Sequence, residues 1–122
     1  MKIIIVDDDK LIRESLGDII KELLKTAEVI IFEGAGAAWN YMNQKEGKGV
    51  DIIFSDIQMP GCMDGLEFLE KVKEKFSAVK FIAMSGNLVK EAEYRRRAIE
   101  NGADFLFKPY KPQELFDLLD SR

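Results

Sequence analysis

The sequence predicts an α/β fold in which five parallel strands alternate with five helices. Short runs that are apolar on nearly every residue alternate with longer stretches whose apolar residues recur every three or four positions. Runs of the first kind suit strands covered on both faces, and stretches of the second kind suit amphipathic helices. Because connections between parallel strands are right-handed, five such units build a doubly wound sheet with helices on both faces.

Five segments have the length and composition of buried strands, with four to six residues rich in Ile, Val or Phe. They are Lys2–Asp7, Glu28–Phe32, Asp51–Ser55, Val79–Met84 and Asp104–Phe107. No change in composition and no linker interrupts the alternation, and 122 residues is a common size for one domain. We therefore expect residues 1–122 to form one domain.

Two of the intervening stretches have the regular apolar spacing of a helix. Leucine and isoleucine recur at three- and four-residue intervals from Leu11 to Leu24, and apolar residues do so from Leu66 to Phe76. Less regular stretches occupy the other three helix positions, at Gly34–Gln44, Asn87–Glu100 and Gln113–Leu119. The charged run within the fourth helix, at residues 95–97, is expected to form its solvated face.

Composition limits the chemistry available to the chain. The sequence has no histidine and one cysteine, Cys62, which excludes an internal disulfide and a multi-cysteine metal site. The net charge of -4 gives no positive field for nucleic acid, and the early apolar run is too short for a signal peptide or a membrane span. We expect a cytoplasmic protein that binds neither DNA nor membranes and works with carboxylates, hydroxyls and lysine.

Polar side chains follow four of the five predicted strands. Asp7–Asp9 follows the first strand, Asp56 the third, Ser85 the fourth and Lys108 the fifth. Because ligands of open parallel sheets bind at the carboxyl ends of the strands, we expect these groups to converge at one edge. Asp9 stands where the first helix starts, so its carboxylate suits an N-cap at least as well as a metal ligand.

Three neighbouring carboxylates imply a cation, because their repulsion would otherwise favour protonation. Oxygen ligands suit Mg²⁺, or Mn²⁺ as an alternative, and the formal charges of Asp7, Asp8, Asp56, a divalent cation and Lys108 sum to zero. Such a site would let Asp56 attack a phosphoryl group whose oxygens the metal and Lys108 bind. The resulting acyl phosphate would attract the hydroxyl of Ser85, and that movement would act as a switch.

The chain resembles the receiver domains of two-component response regulators, stand-alone chemotaxis-type regulators included. The resemblance rests on the order and spacing of IIIVDDD, IIFSDIQMP followed by Asp64-Gly65, FIAMSGN and FLFKPY, and it covers essentially the whole chain. It implies a flavodoxin-like strand order, 2-1-3-4-5. It also implies a phosphoacceptor domain that is not an enzyme and only assists its own phosphorylation and dephosphorylation.

The resemblance implies a role for each acidic residue. Asp56 would be the phosphoacceptor. Asp8, Asp56 and the backbone carbonyl of Gln58 would bind Mg²⁺ directly, whereas Asp7 would bind it through water. Positions two residues beyond the acceptor and beyond the switch hydroxyl, here Gln58 and Asn87, would tune phosphate hydrolysis.

The remaining site residues are implied in the same way. Ser85 would be the switch hydroxyl and Phe105 the switch aromatic, which turns inward when the hydroxyl moves. Lys108 would contact the phosphoryl group, and its bond to Pro109 would be cis. The switch would alter the surface of the fourth helix, fifth strand and fifth helix.

The implied partners supply what this chain lacks. A histidine kinase or a histidine-containing phosphotransfer protein would donate the phosphoryl group, since the sequence has no histidine. The switched surface would control a downstream protein or a missing output domain. Two departures from the family pattern stand out: Gly61-Cys62 lengthens the loop after Pro60 by one residue, and Phe105 lacks the hydroxyl of the usual tyrosine.

Two other functions remain as alternatives. A hydrolase of the haloacid-dehalogenase kind also uses aspartate and Mg²⁺ at strand ends, but Leu11 stands where its signature needs Thr or Val, and 122 residues leave no cap domain. A binding module that keeps these residues without being phosphorylated is the second alternative. A flavodoxin is disfavoured because Asp7–Asp9 stands where its phosphate-binding loop would lie.

Overall fold

Five strands and five α-helices alternate along residues 1–61 and 63–120, the part of the chain that this computed structural model describes. The strands are β1 (Lys2–Val6), β2 (Glu28–Phe32), β3 (Val50–Asp56), β4 (Lys80–Ser85) and β5 (Asp104–Phe107). The helices are α1 (Lys10–Leu23), α2 (Ala35–Met42), α3 (Gly65–Lys75), α4 (Glu91–Glu100) and α5 (Pro112–Asp120). A short 3-10 turn, Lys45–Gly47, lies between α2 and β3.

The strands form one parallel sheet in the order β2-β1-β3-β4-β5, which confirms the predicted fold class. The central strands β1 and β3 are in register from the pair Ile3 and Ile52 to the pair Val6 and Ser55. The residues that follow β1 therefore lie beside the end of β3. This register fixes the edge at which the acidic residues meet.

Each face of the sheet is covered by its own group of helices. Alternate strand residues point to opposite faces, so Ile4 packs in the cluster with α2, α3 and α4, whereas Ile5 packs in the cluster with α1 and α5. Residues 3–6 of β1 have no exposed surface at all. The continuous apolar runs are thus strands buried on both faces, as predicted. In the described ranges, none of the helices has the length and hydropathy needed to cross a membrane.

Two site residues belong to strands rather than to the loops after them. Asp56 pairs with Met84 and Ser85 pairs with Phe107, so each is the last residue of its strand. Asp7, which the sequence placed at the end of the first strand, instead lies just beyond β1. Hydrogen bonds to the neighbouring strands decide where each strand ends, and the sequence of one strand alone does not show them.

Helix α4 begins at Glu91, four residues later than the predicted start at Asn87. The side-chain oxygen of Asn87 accepts a hydrogen bond from the amide of Lys90 at 3.0 Å, which makes residues 88–90 a turn. Helix α2 is also shorter than predicted, because it ends at Met42 and a 3-10 turn begins at Lys45. At α1, by contrast, Asp9 is the expected N-cap and accepts from the amides of Leu11 and Ile12.

Candidate functional site

The carboxyl ends of β1 and β3 bring three carboxylates together. Each of Asp7, Asp8 and Asp56 offers an oxygen that lies within 4.8 Å of the other two. Asp7 is fully buried, Asp56 is 7% exposed and Asp8 is exposed, so the cluster opens to solvent on the side of Asp8. The donors are all carboxylate oxygens and are close enough to share one ion, which fits Mg²⁺ and does not fit a soft metal.

Lys108 brings a positive charge to this cluster from the loop after β5. Its Nζ lies 3.3 Å from Oδ2 of Asp7 and 3.4 Å from Oδ1 of Asp56. The backbone amide of Lys108 donates to the carbonyl of Ser85 at 2.8 Å, which fastens the loop to the end of β4. The peptide bond between Lys108 and Pro109 is cis, as the resemblance implied.

The pKa of Asp56 is higher than usual for an aspartate, and the main cause is burial. Its pKa is raised from 3.8 to about 6, chiefly by burial; the ammonium of Lys108 opposes this rise, and the charges of Asp7 and Asp8 add to it. Even so, a pKa of about 6 leaves the carboxylate mostly ionised at neutral pH. The group is available as a nucleophile or a ligand, and a bound cation would favour the ionised form further.

Asn87 links two loops across the mouth of the site. Its backbone amide donates to Oγ of Ser85 at 3.1 Å, and its side-chain amide donates to Oε1 of Gln58, also at 3.1 Å. Ser85 is buried at the end of β4, whereas Gln58 lies exposed in the loop after Asp56. The two residues that the resemblance associates with hydrolysis therefore touch each other, a contact that the sequence did not predict.

The ring of Phe105 is turned into the core on the face covered by α2, α3 and α4. The residue is 8% exposed, and the guanidinium of Arg95 covers the ring with its Cζ 4.7 Å from the ring centroid. Arg95 is itself exposed, as expected for the solvated face of α4, and its charge also packs on this ring. Arg96 is exposed as well and pairs with Glu100, whereas Arg97 is half-buried.

The loop between β3 and α3 is held close to the acceptor carboxylate. Asp64 caps α3 by accepting from the amide of Glu67, and the amide of Gly65 donates to the carbonyl of Ile57 at 2.9 Å. A Cβ on Gly65 would lie 2.6 Å from Cα of Ile57 and well inside contact distance of the Asp56 carbonyl. Glycine is thus needed for close backbone approach. Of the pair Gly61-Cys62, which was predicted to lengthen this loop by one residue, Cys62 lies outside the described residues.

Arg13 also belongs to this region, although it was not predicted from the sequence. Its Nη1 donates to the backbone carbonyl of Asp7 at 2.9 Å, and its Nη2 lies 3.6 Å from Oε1 of Glu33. A signal was present, because Arg13 stands three residues before Leu16 and seven before Ile20 and so shares the buried face of α1. An arginine on an apolar helix face predicts a buried partner.

Comparison with known proteins identifies the family. The family model described as the response regulator receiver domain matches residues 3–120. The chain belongs to this family. Receiver domains are signalling domains of two-component systems, which agrees with the resemblance predicted from the sequence.

The curated relatives of this receiver domain are longer proteins. It is 33% identical to the transcriptional regulatory protein FlgR of Helicobacter pylori over 96% of this chain and 28% of that one. It is 31% identical to the uncharacterized transcriptional regulatory protein YesN of Bacillus subtilis over 98% of this chain and 31% of that one. The receiver domain thus spans about a third or less of the relatives that it matches.

Solved structures agree with this assignment. A CheY-like receiver domain protein from Methanospirillum hungatei matches with a TM-score of 0.83 and 29% identity, covering 98% of this chain and 90% of that one. A receiver domain protein from Clostridium thermocellum matches with a TM-score of 0.85 over 98% and 91% of the two chains. At 20% identity, the second match shows the fold alone.

Proposed function

We propose that residues 1–122 form one receiver domain that accepts a phosphoryl group on Asp56 in a Mg²⁺-dependent reaction. The observation that carries the proposal is the cluster of Asp7, Asp8 and Asp56, whose oxygens lie within 4.8 Å of one another, with Lys108 in contact with two of them. The cluster combines a nucleophile, oxygen ligands for a cation and an ammonium. These are the groups that phosphoryl transfer to a carboxylate requires.

Asp8, Asp56 and the backbone carbonyl of Gln58 would hold Mg²⁺ directly, and Asp7 would hold it through water. Mn²⁺ is the alternative ion, since it accepts the same oxygen ligands. When bound, the cation would neutralise charge on the phosphoryl oxygens. Asp7 contributes negative charge from a fully buried position, which strengthens the attraction for a cation.

Asp56 would attack the phosphorus of a phosphohistidine carried by a histidine kinase or a phosphotransfer protein. The new bond joins Oδ of Asp56 to phosphorus, and the phosphorus–nitrogen bond breaks with its electron pair returning to the imidazole. Lys108 would bind a phosphoryl oxygen, because its ammonium already lies 3.4 Å from Oδ1 of Asp56. The chain would be no enzyme in the ordinary sense, since it assists only its own phosphorylation and dephosphorylation.

The phosphorylated state would be reported by Ser85 and Phe105. The Ser85 hydroxyl accepts from the amide of Asn87 and would turn toward a phosphoryl oxygen once one is present. That change would alter the packing of Phe105 and with it the α4-β5-α5 surface. A cytoplasmic target protein, or an output domain in a longer protein, would recognise the altered surface.

Labelling with a small phosphodonor tests the proposal. With radiolabelled acetyl phosphate and Mg²⁺, the parent chain should take up acid-stable, hydroxylamine-sensitive label, whereas Asp56→Asn and the parent in EDTA should not. Asp18→Asn, which changes an exposed aspartate on α1, is the matched control and should label like the parent. Equal labelling of Asp56→Asn would contradict the assignment, and steady turnover of a phosphomonoester would indicate a hydrolase instead.

A further inference from the structure

We propose that Arg13 is a positioning residue for the cation site and holds the peptide between Asp7 and Asp8 in place. This inference rests on the proposed function, because it assumes that these aspartates bind Mg²⁺. No motif of the predicted site includes Arg13. Its burial, its partners and the geometry of one peptide bond support this role.

Arg13 has few partners for a buried arginine. The residue is 7% exposed, and among the described residues its guanidinium has one hydrogen bond of normal length, to the carbonyl of Asp7. Its ion pair with Glu33 is 3.6 Å long, and the Glu33 side chain is 85% exposed, so solvent screens most of that attraction. The surface ion pair does not explain why the guanidinium is buried. Its buried partner is the carbonyl of Asp7.

The other polar atoms of Asp7 are already held from other directions. Its amide donates to the carbonyl of Phe32, its Oδ1 accepts from the amide of Asp9, and its Oδ2 contacts Lys108. The contact from Arg13 is different because it acts on the carbonyl. The carbonyl of Asp7 and the amide of Asp8 share one planar peptide unit.

The orientation of this peptide plane determines the direction in which the side chain of Asp8 leaves the backbone. Asp8 is exposed, and no hydrogen bond or ion pair to its carboxylate is found in the described part of the chain. Asp7 and Asp56 lie in buried positions that the sheet determines, but Asp8 depends on the orientation of the backbone before it. Mutation of a group that orients a metal ligand commonly lowers the metal affinity by about 10- to 100-fold.

The sign of the effect separates positioning from simple electrostatics. If Arg13 acted on the site only through its charge, removing that charge would strengthen the binding of a cation. If Arg13 positions the peptide, its removal would weaken binding despite the favourable change in charge. The two roles therefore predict opposite changes in the dissociation constant of Mg²⁺.

Calorimetric titration with Mg²⁺ alone, without any phosphodonor, measures this change. We expect Arg13→Met to bind Mg²⁺ about tenfold more weakly than the parent. Arg13→Lys, which keeps the charge and one donor, should lie between the two. Arg96→Met removes an exposed arginine of α4 and should bind like the parent. Circular dichroism of each variant establishes that the titrated protein is folded.

Unchanged or tighter binding by Arg13→Met would overturn the inference. If that variant does not fold, Arg13→Gln decides by the same criterion, because its side chain is polar but shorter and uncharged. Asp8→Asn separates this failure from failure of the proposed function. If Asp8→Asn binds Mg²⁺ as the parent does, the metal site itself is wrong. If Asp8→Asn binds weakly and Arg13→Met binds normally, only the role of Arg13 is wrong.

Discussion

Asp56 is the residue on which opposing physical effects meet. Burial at the end of β3 and the charges of Asp7 and Asp8 favour its neutral form, whereas Lys108 favours the ionised form. The balance leaves the pKa at about 6. In the absence of a cation, ionised Asp56 therefore lowers the free energy of unfolding. This destabilising group lies at the position proposed to react.

The stability of the metal-free protein should reveal this cost. Because the folded pKa of about 6 exceeds the ordinary aspartate value of 3.8, the folded state binds the proton more tightly than the unfolded state does. The free energy of unfolding should therefore fall as pH rises from about 4 to about 6, by about 2–3 kcal/mol relative to Asp56→Asn. Urea unfolding of both proteins in EDTA across this range measures the difference. A difference that is flat or rises with pH would contradict the raised pKa.

Gly65 offers a second test at the level of one residue. A methyl group there would collide with the backbone at Asp56 and Ile57, so Gly65→Ala should destabilise the fold by about 1–3 kcal/mol or more. Gly36→Ala is the matched control, because a Cβ at Gly36 in α2 meets no atom within 4 Å and alanine favours helix. Urea unfolding compares the two variants. Equal stability would mean that the loop relaxes around the added methyl group.

The sequence predicted the positions of the acidic residues and Lys108 better than it predicted their contacts. Asp7, Asp56 and Lys108 could be located because polar residues that end apolar runs stand out in a sequence. Arg13 was missed because its partner is a backbone carbonyl, which no side-chain motif records. The contact between Gln58 and Asn87 was missed because it joins two loops whose spacing depends on the folded sheet.

At the scale of elements, α4 is joined to β5 by more than apolar packing. Arg95 lies over the ring of Phe105 and also stands 4.0 Å from Glu91 one turn earlier on the same helix. A cation held over an aromatic ring at a partly exposed position contributes about 0.5–1 kcal/mol. The ring of Phe105 is therefore stabilised in its buried position by Arg95 on the solvent side and by apolar packing on the core side.

A double-mutant cycle tests this contact. Arg95→Ala, Phe105→Leu and the double variant should give a coupling of about 0.5–1 kcal/mol in the free energy of unfolding. The same cycle with Arg96→Ala in place of Arg95→Ala should give no coupling, since Arg96 pairs with Glu100 instead. Coupling energies that are equal in the two cycles would show that the stacking of Arg95 contributes nothing specific.

Element boundaries show where sequence periodicity stops being informative. β2 and β5 have the predicted limits because both begin with a charged residue and end with phenylalanine at the end of an apolar run. The start of α4 was predicted too early because the side chain of Asn87 takes the hydrogen bonds of a turn. Competition of this kind between a side chain and the helix backbone is not a periodic signal.

At the scale of the whole molecule, the acidic cluster joins the two central strands. Asp7 and Asp8 follow β1 and Asp56 ends β3, and the core on each face of the sheet includes residues of both strands. A ligand of this cluster binds only when β1 and β3 are paired. Its binding free energy is therefore added to the stability of the entire fold.

Mg²⁺ should consequently raise the global stability of the chain. At a concentration of about 100 times its dissociation constant, the free energy of unfolding should increase by about 2.7 kcal/mol. Asp8→Asn should lose most of this increase, and the same ionic strength supplied as NaCl should not reproduce it. Thermal or urea unfolding in each buffer measures the effect. An equal gain with NaCl would indicate general screening in place of a specific site.

The overall topology was predictable because it depends on repeated and redundant signals. Five apolar runs separated by helical stretches give a parallel sheet even when single strand boundaries are displaced by one residue and the start of α4 by four. Strand order followed from the family resemblance and is confirmed as β2-β1-β3-β4-β5. The burial of β1 on both faces likewise follows directly from its uninterrupted apolar residues.

Lys108 gives the acidic cluster an internal counterion. Its ammonium contacts Asp7 and Asp56, so an arriving divalent ion competes for oxygens that already have a positive partner. If the proposed metal binds at this edge, its uptake would be an exchange of cations in which the ammonium of Lys108 moves away from Asp7 and Asp56. How far the lysine can retreat is limited, because its own backbone amide is tied to Ser85. This backbone hydrogen bond would keep the ammonium of Lys108 close to a bound phosphoryl oxygen, and it would also lower the affinity of the site for the metal.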